Sequence, residues 1–505
     1  MPTAASSARR SVADVGHLLR FRASGRRRPA VLALTIVAAV TLVVAVAPAL
    51  APGAGDGGEG TAQDLRAVLP AALAGFVLLA VLSAGASGGG RELIARDATA
   101  VFPVSPTTDH LGALLLAPLN IAWILQAWAL LGMTSYAVGA GGLVPAQVLV
   151  VLWLVAGTAF AQAIGWALES VRRTTHGPLV VRALAVAAAA TALVVQASGH
   201  AGDVLDSLPT HGVVVVLADG VTARWALSVL VALVAVVALV AVGAWPAHVA
   251  ARRSPREEHL VESGQYRARA LPASALGAMV RVDRASVWRA VPIRRGLAVL
   301  ALGPAMIALL GGLQWDSMTI LPGLVASGGA LLYGVNAWCL DGRGTLWRES
   351  LPVDPATVFD ARAYVLAELL LAASLVTVCV GGLRAGVPDA ADAAALASTL
   401  VVVLVQVVAA AMRWSQRRPF AVDLRSARAT PAPPAAMIGY SSRLALTTTT
   451  TGLLFSTAAL LGPWFVSPLL AVPMLVWSGL RLRRTRRAWL DPDRRVTVTM
   501  TVAAA

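Results

Sequence analysis

Apolar runs of about 20 residues, the length that crosses a bilayer as helix, follow one another from Pro29 to near residue 480. Inside lipid a backbone must satisfy its own hydrogen bonds, so runs rich in alanine, valine and leucine fold as helices. Six runs fit the first half, at about 29–51, 67–86, 109–133, 142–168, 178–197 and 224–249. Six more fit the second, at about 295–313, 319–340, 361–383, 393–412, 443–461 and 463–480. The pattern predicts an all-α polytopic integral membrane protein with about 12 transmembrane helices, a 6+6 tandem repeat. With 57% hydrophobic residues, 13% charged residues and a mean hydropathy of +0.73, the chain falls outside soluble globular composition.

Arginine sets the orientation. All 41 basic residues are arginine, and they gather in alternate connections. These hold Arg9 to Arg28, Arg91 and Arg96, Arg172 and Arg173, Arg252 to Arg295, Arg343 and Arg348, Arg413 to Arg428, and Arg481 to Arg495. The other connections hold only Arg66, Arg224 and Arg384, together with acids such as Asp56, Asp206, Asp316 and Asp389. Positive loops stay cytoplasmic, so a multi-pass protein of the cell (plasma) membrane with both termini inside is expected.

Five segments follow from this reading. Residues 1–28 form an N-terminal cytoplasmic basic helix lying along the membrane surface, and 29–249 the first six-helix unit. Residues 250–294 are a cytoplasmic linker with a second surface helix, 295–480 the second six-helix unit, and 481–505 a cytoplasmic basic tail. On the second surface helix Leu276, Met279, Val280, Val287 and Val291 share one face. Asp283 falls on that same face and spoils it. The run after Arg26-Arg27-Arg28 is too long for a signal peptide.

Several chemistries are excluded. A Walker A loop needs a lysine and the chain has none, so it cannot hydrolyse ATP through that motif. Cys339 and Cys379 lie in separate apolar runs, the histidines are scattered, and Glu257-Glu258-His259 lacks a second histidine at helical spacing. Asp56, Glu59 and Asp64 stand in a glycine-rich outer loop that reads as solvated. No catalytic residue, cofactor or metal site is expected. The net charge of +15 is spread over alternate loops and makes no nucleic-acid face.

Charges inside spans are costly and therefore informative. Glu368 lies about two turns into the ninth run, and a structural pairing with Arg443, or with a helix neighbour, is expected. Asn120, Gln126, Gln162, Asn336 and Gln406 are expected to bridge helices rather than line a path.

Two polar loops repeat. Val101-Phe102-Pro103-Val104-Ser105-Pro106 aligns without a gap on Ser350-Leu351-Pro352-Val353-Asp354-Pro355. Each follows the second apolar run of its half, and neither can cross lipid unpaired. With the basic helix before the first run, and with Asn336-Ala337-Trp338-Cys339-Leu340-Asp341-Gly342-Arg343-Gly344 before Leu346-Trp347-Arg348-Glu349-Ser350-Leu351-Pro352-Val353, the chain resembles the ABC-2 type transporter permeases. The resemblance implies two fused transmembrane units of an exporter. ATP would be bound and hydrolysed on separate ATPase subunits, two in number, docked at inner loops 87–108 and 341–360. It implies coupling contacts at Phe102, Pro103, Val104, Glu349, Leu351, Pro352 and Val353, and it names no substrate. The first copy departs from the pattern, with Phe102 for Leu351 and Ala100 for Glu349. A secondary carrier of the major-facilitator type is the alternative, although Gly90 to Asp97 lacks that family's loop motif. A membrane scaffold without transport also stays open.

Overall fold

Helix is the only regular structure among the described residues of the computed structural model. These are residues 4–24, 27–58, 60–89, 104–119, 121–253, 270, 272–332, 336–342, 344–421 and 434–504. The chain divides into two compact units, Met1–Arg256 and Glu257–Ala505, with the boundary inside the expected linker.

The first unit contains α1 (Ala4–Ser24), α2 (Arg27–Val46), α3 (Thr61–Ala86), α4 (Pro106–Leu116) and α5 (Ile121–Arg172). It continues with α6 (Gly177–Ala197), α7 (Ala201–Ser207), α8 (Pro209–Asp219) and α9 (Ala223–Ala251). Leu73 and Phe76 of α3 pack with Leu130, Leu149, Val150 and Leu154 of α5 to form its core. Gly165 permits that approach, since a Cβ there would stand 2.8 Å from the Ala84 carbonyl oxygen. The apolar stretch of α8, too short to cross, lies on this core through Val213, Val214, Val216 and Leu217. At the other end Arg173 donates to the Ala250 carbonyl at 2.7 Å, and Arg253 to that of Ser170 at 2.6 Å. Arginine here ties the orphan carbonyls of one helix end to a neighbouring helix.

The glycine-rich loop that follows α2 is built rather than merely solvated. α5 breaks at Gly139, whose φ of 72° and ψ of −176° suit glycine alone. The Gly55 N–H donates to the Tyr136 carbonyl at 2.9 Å, and Arg66 donates to that of Ala137 at 2.8 Å. A Cβ on Gly139 would meet the Ala54 carbonyl oxygen at 2.9 Å. Gly139→Ala is therefore expected to lower stability by about 1–3 kcal/mol, read as a fall in the melting temperature of the detergent-purified chain.

The second unit contains α10 (Ala275–Arg289), α11 (Val291–Gly311), α12 (Trp315–Met318), α13 (Leu321–Leu332) and α14 (Gly344–Glu349). Then come α15 (Pro355–Gly381), α16 (Ala390–Arg417), α17 (Pro434–Leu461), α18 (Val466–Trp489) and α19 (Pro492–Ala503). Ala275–Arg289 meets Ile293–Leu309 at 82°, the turn expected of a surface helix that enters the membrane. Side-chain bridges join the helices. Thr377 donates to the Ala301 carbonyl at 2.8 Å, Thr319 to that of Gly452 at 3.1 Å, and Thr451 to Gln406 at 3.2 Å. In the first unit Gln162 donates to the Gly89 carbonyl at 2.6 Å.

Six described helices are long and apolar enough to cross a membrane, or seven if the bent pair counts as one crossing. They are Thr61–Ala86, Gln126–Arg172, Ala223–Ala251, Pro355–Gly381, Ala390–Arg417 and Arg443–Leu461. The long α5 is broken at Gly139, between the expected third and fourth runs. Other expected runs give shorter helices. The first passes into a 3-10 turn at Ala47–Leu50, which contains Pro48, and α13 has only 12 residues. Leu230, Val231, Val234, Val237 and Val242 of α9 are exposed, and only 6% of that span's apolar window is buried. A helix apolar all round with its side chains bare faces lipid. The protein is an all-α, membrane-embedded chain.

Candidate functional site

Both proline loops end in the same local device. Ser105 and Asp354 are N-caps, accepting from the backbone N–H of Thr108 and of Ala356, and Pro106 and Pro355 follow in the first turn. Proline is preorganised there because its missing N–H would have no intrahelical partner. The aligned Pro-Val-Ser-Pro and Pro-Val-Asp-Pro segments are thus two helix starts.

Around the second start lies a buried ion network. Asp283 of α10 is fully buried, although it interrupts an apolar face. Its carboxylate accepts from Arg362 Nε at 3.0 Å and Nη2 at 2.9 Å, and from Arg348 Nη2 at 2.7 Å. Asp341 accepts from Arg348 Nη1 and from Arg362 Nη2, each at 2.7 Å. Arg362 also donates to the Ala337 carbonyl. Two acids balance two arginines, so the cluster is neutral as a whole. Burial pushes the Asp341 carboxyl up, but the Arg362 and Arg348 guanidiniums outweigh it and hold it below the usual carboxylate range.

The network ties the surface helix α10, the turn at 339–341, the short helix α14 and the span α15 together. Aromatic rings close one side. Arg362 lies over Trp338 at 5.4 Å, and Trp338 stacks on Trp489 with centroids 3.9 Å apart and planes 3° apart. Ser415 accepts from the Ala337 N–H at 2.8 Å, and Asn336 donates to the Phe420 carbonyl. Residues 481–505, expected as a basic tail, form the end of α18 and the helix α19, which Asp491 caps. Arg486 is paired with both oxygens of Asp360, at 2.7 and 2.8 Å, and Arg495 with Glu349 at 2.9 Å. The tail is part of the site.

What the network leaves bare is the outer face of α14. Arg348 points in and is 7% exposed, whereas Leu346 is 49% and Trp347 64% exposed. Among the residues expected to couple, Glu349 is held by Arg495, Leu351 and Val353 are half-buried, and Pro352 is exposed. Val104 is half-buried just ahead of α4; Phe102 and Pro103 lie outside the described residues. Glu368 does not pair with Arg443. It accepts from Arg284 at 2.8 Å, because α10 runs beside α15, while Arg443 is exposed on α17.

In the first unit, too, the N-terminal helix lies against the helix that follows the proline loop. α1 packs on α4 through Val15, Leu111 and Leu116, and Ser11 meets Ser105 at 3.2 Å. In the gapless alignment Ala113 stands where the second unit has Arg362 and Thr99 where it has Arg348. Among the described residues no cluster of His, Cys, Asp or Glu could hold a metal. Comparison with known protein families, curated proteins and solved structures returns no match.

Proposed function

We propose that the chain is the transmembrane permease subunit of an ATP-driven exporter of the ABC-2 type, fused from two units and crossing the membrane twelve times. Both termini and both proline loops would face the cytoplasm, on the side of the arginine-rich connections. The observation that carries the reading is the bare Leu346–Trp347 face of α14, held by a buried ion network that also joins the surface helix α10 and the span α15. A force-transmitting contact needs a short element that neither slides nor unfolds when pushed. Here Arg348 of α14 is bonded to Asp283 of the surface helix, and the same Asp283 holds Arg362 of the span. Trp and neighbouring aliphatics are the side chains that most often dominate a protein contact. The absence of lysine, and with it of a Walker A loop, agrees with ATP hydrolysis on a partner.

The purified chain is accordingly expected to hydrolyse no ATP, and to support ATP-dependent export only with a Walker A ATPase subunit coexpressed. Hydrolysis by the chain alone would contradict this. Transport driven by a proton gradient without an ATPase would identify a secondary carrier instead.

A further inference from the structure

At the cluster where α16 ends and α17 and α18 pass, positive charge gathers. Arg413 and Arg417 stand one turn apart on α16, Arg443 is on α17 and Arg481 on α18. Among the described residues Arg413, Arg417 and Arg443 bear on Arg481, with the Tyr440 phenol beside them. Arg486, just over one turn further along α18, is balanced by Asp360, whereas Arg481 has no ion pair among the described residues.

The same place holds donors with nothing to bond. Tyr440 is 2% exposed, yet its hydroxyl has no partner among the described residues. The Arg481 Nε and the indole N–H of Trp414 are likewise buried and unpartnered. Tyr440 and Trp414 lie against each other, ring centroids 5.1 Å apart. A buried donor left unmet costs about 1–3 kcal/mol, and like charges held together add to that cost. One ligand relieves both: an anion with several acceptor oxygens.

We propose that these residues bind the phosphate of an anionic membrane lipid. A lipid suits the place better than a free anion because bare apolar surface adjoins the charges. Leu446, one turn above Arg443, is 71% exposed, and Trp477, one turn before Arg481, is 69% exposed. An acyl chain lying along them would put its phosphate among the arginines, as basic pockets between spans hold lipid head groups.

The test titrates the full-length chain in detergent with short-chain phosphatidylglycerol, phosphatidylcholine or inorganic phosphate, following the melting temperature. Saturable stabilisation by phosphatidylglycerol alone is expected. Arg481→Gln should weaken it about tenfold, the scale of a charge-assisted hydrogen bond. Tyr440→Phe keeps the ring on Trp414 and should weaken it about threefold. Arg182→Gln, exposed on α6, should change nothing. Equal stabilisation by phosphatidylcholine, replacement of the lipid by inorganic phosphate, or unchanged affinity in both site variants would each overturn the proposal.

Discussion

Asp283→Ala is expected to destabilise the second unit by roughly 3–5 kcal/mol, the cost of breaking a buried pair and stranding its partner. Asp283 satisfies three guanidinium donors from Arg348 and Arg362, and both arginines are almost wholly buried. Its removal leaves two buried positive charges facing the one acid Asp341. Replacing Asp283 and Arg362 together by leucine removes one charge of each sign and should recover much of the loss, since well-packed apolar substitutes often match a buried pair. The measurement is the melting temperature of each variant in detergent; a single variant no less stable than the double would show that the charges do not act as a set. Acid should act in the same direction. Because the folded Asp341 carboxyl is depressed, its contribution is complete above the unfolded value of about 3.9. It is lost as pH falls through the lower folded value. The network should therefore hold at neutral pH and weaken only in strong acid.

Trp347→Asp should act on binding and leave stability alone. Trp347 is 64% exposed and, among the described residues, no hydrogen bond or ring contact involves its side chain, so the folded chain loses little. At a docking surface an aromatic anchor of this kind is worth about 2–4 kcal/mol, so the affinity for an ATPase subunit should fall by roughly thirtyfold or more. Leu351→Asp should do less, because Leu351 is half-buried beside the loop and not presented on α14.

Much of this was open to reading in the sequence because lipid imposes length and polarity on every crossing. The helical class, the paired proline loops and the break between the third and fourth runs all follow from local pattern. Pro106 and Pro355 even mark the helix starts that Ser105 and Asp354 cap. The ion network was not legible, because its members are 58 to 79 residues from Asp283 and meet only when four elements pack. One signal was visible: Asp283 on an apolar face, which made sense only with a buried cation opposite. Arg362 at the start of an apolar run was its unnoticed complement. Glu368 shows the same limit. A charge in a span calls for a partner, but helix adjacency decides which, and it chose Arg284. The place of the C-terminal helix was hidden too, since a basic stretch reads as solvated until Trp489 is seen stacked on Trp338.

The central claim is that force enters through α14, and co-purification tests it most directly. The full-length chain is coexpressed with a Walker A ATPase subunit, as wild type, Trp347→Asp and Phe359→Leu, the last altering a buried ring that packs on Trp338 and is not presented at the surface. The wild type and Phe359→Leu should retain the ATPase through purification, and Trp347→Asp should lose it while keeping its melting temperature. Undiminished capture by Trp347→Asp, with export intact, would contradict the account.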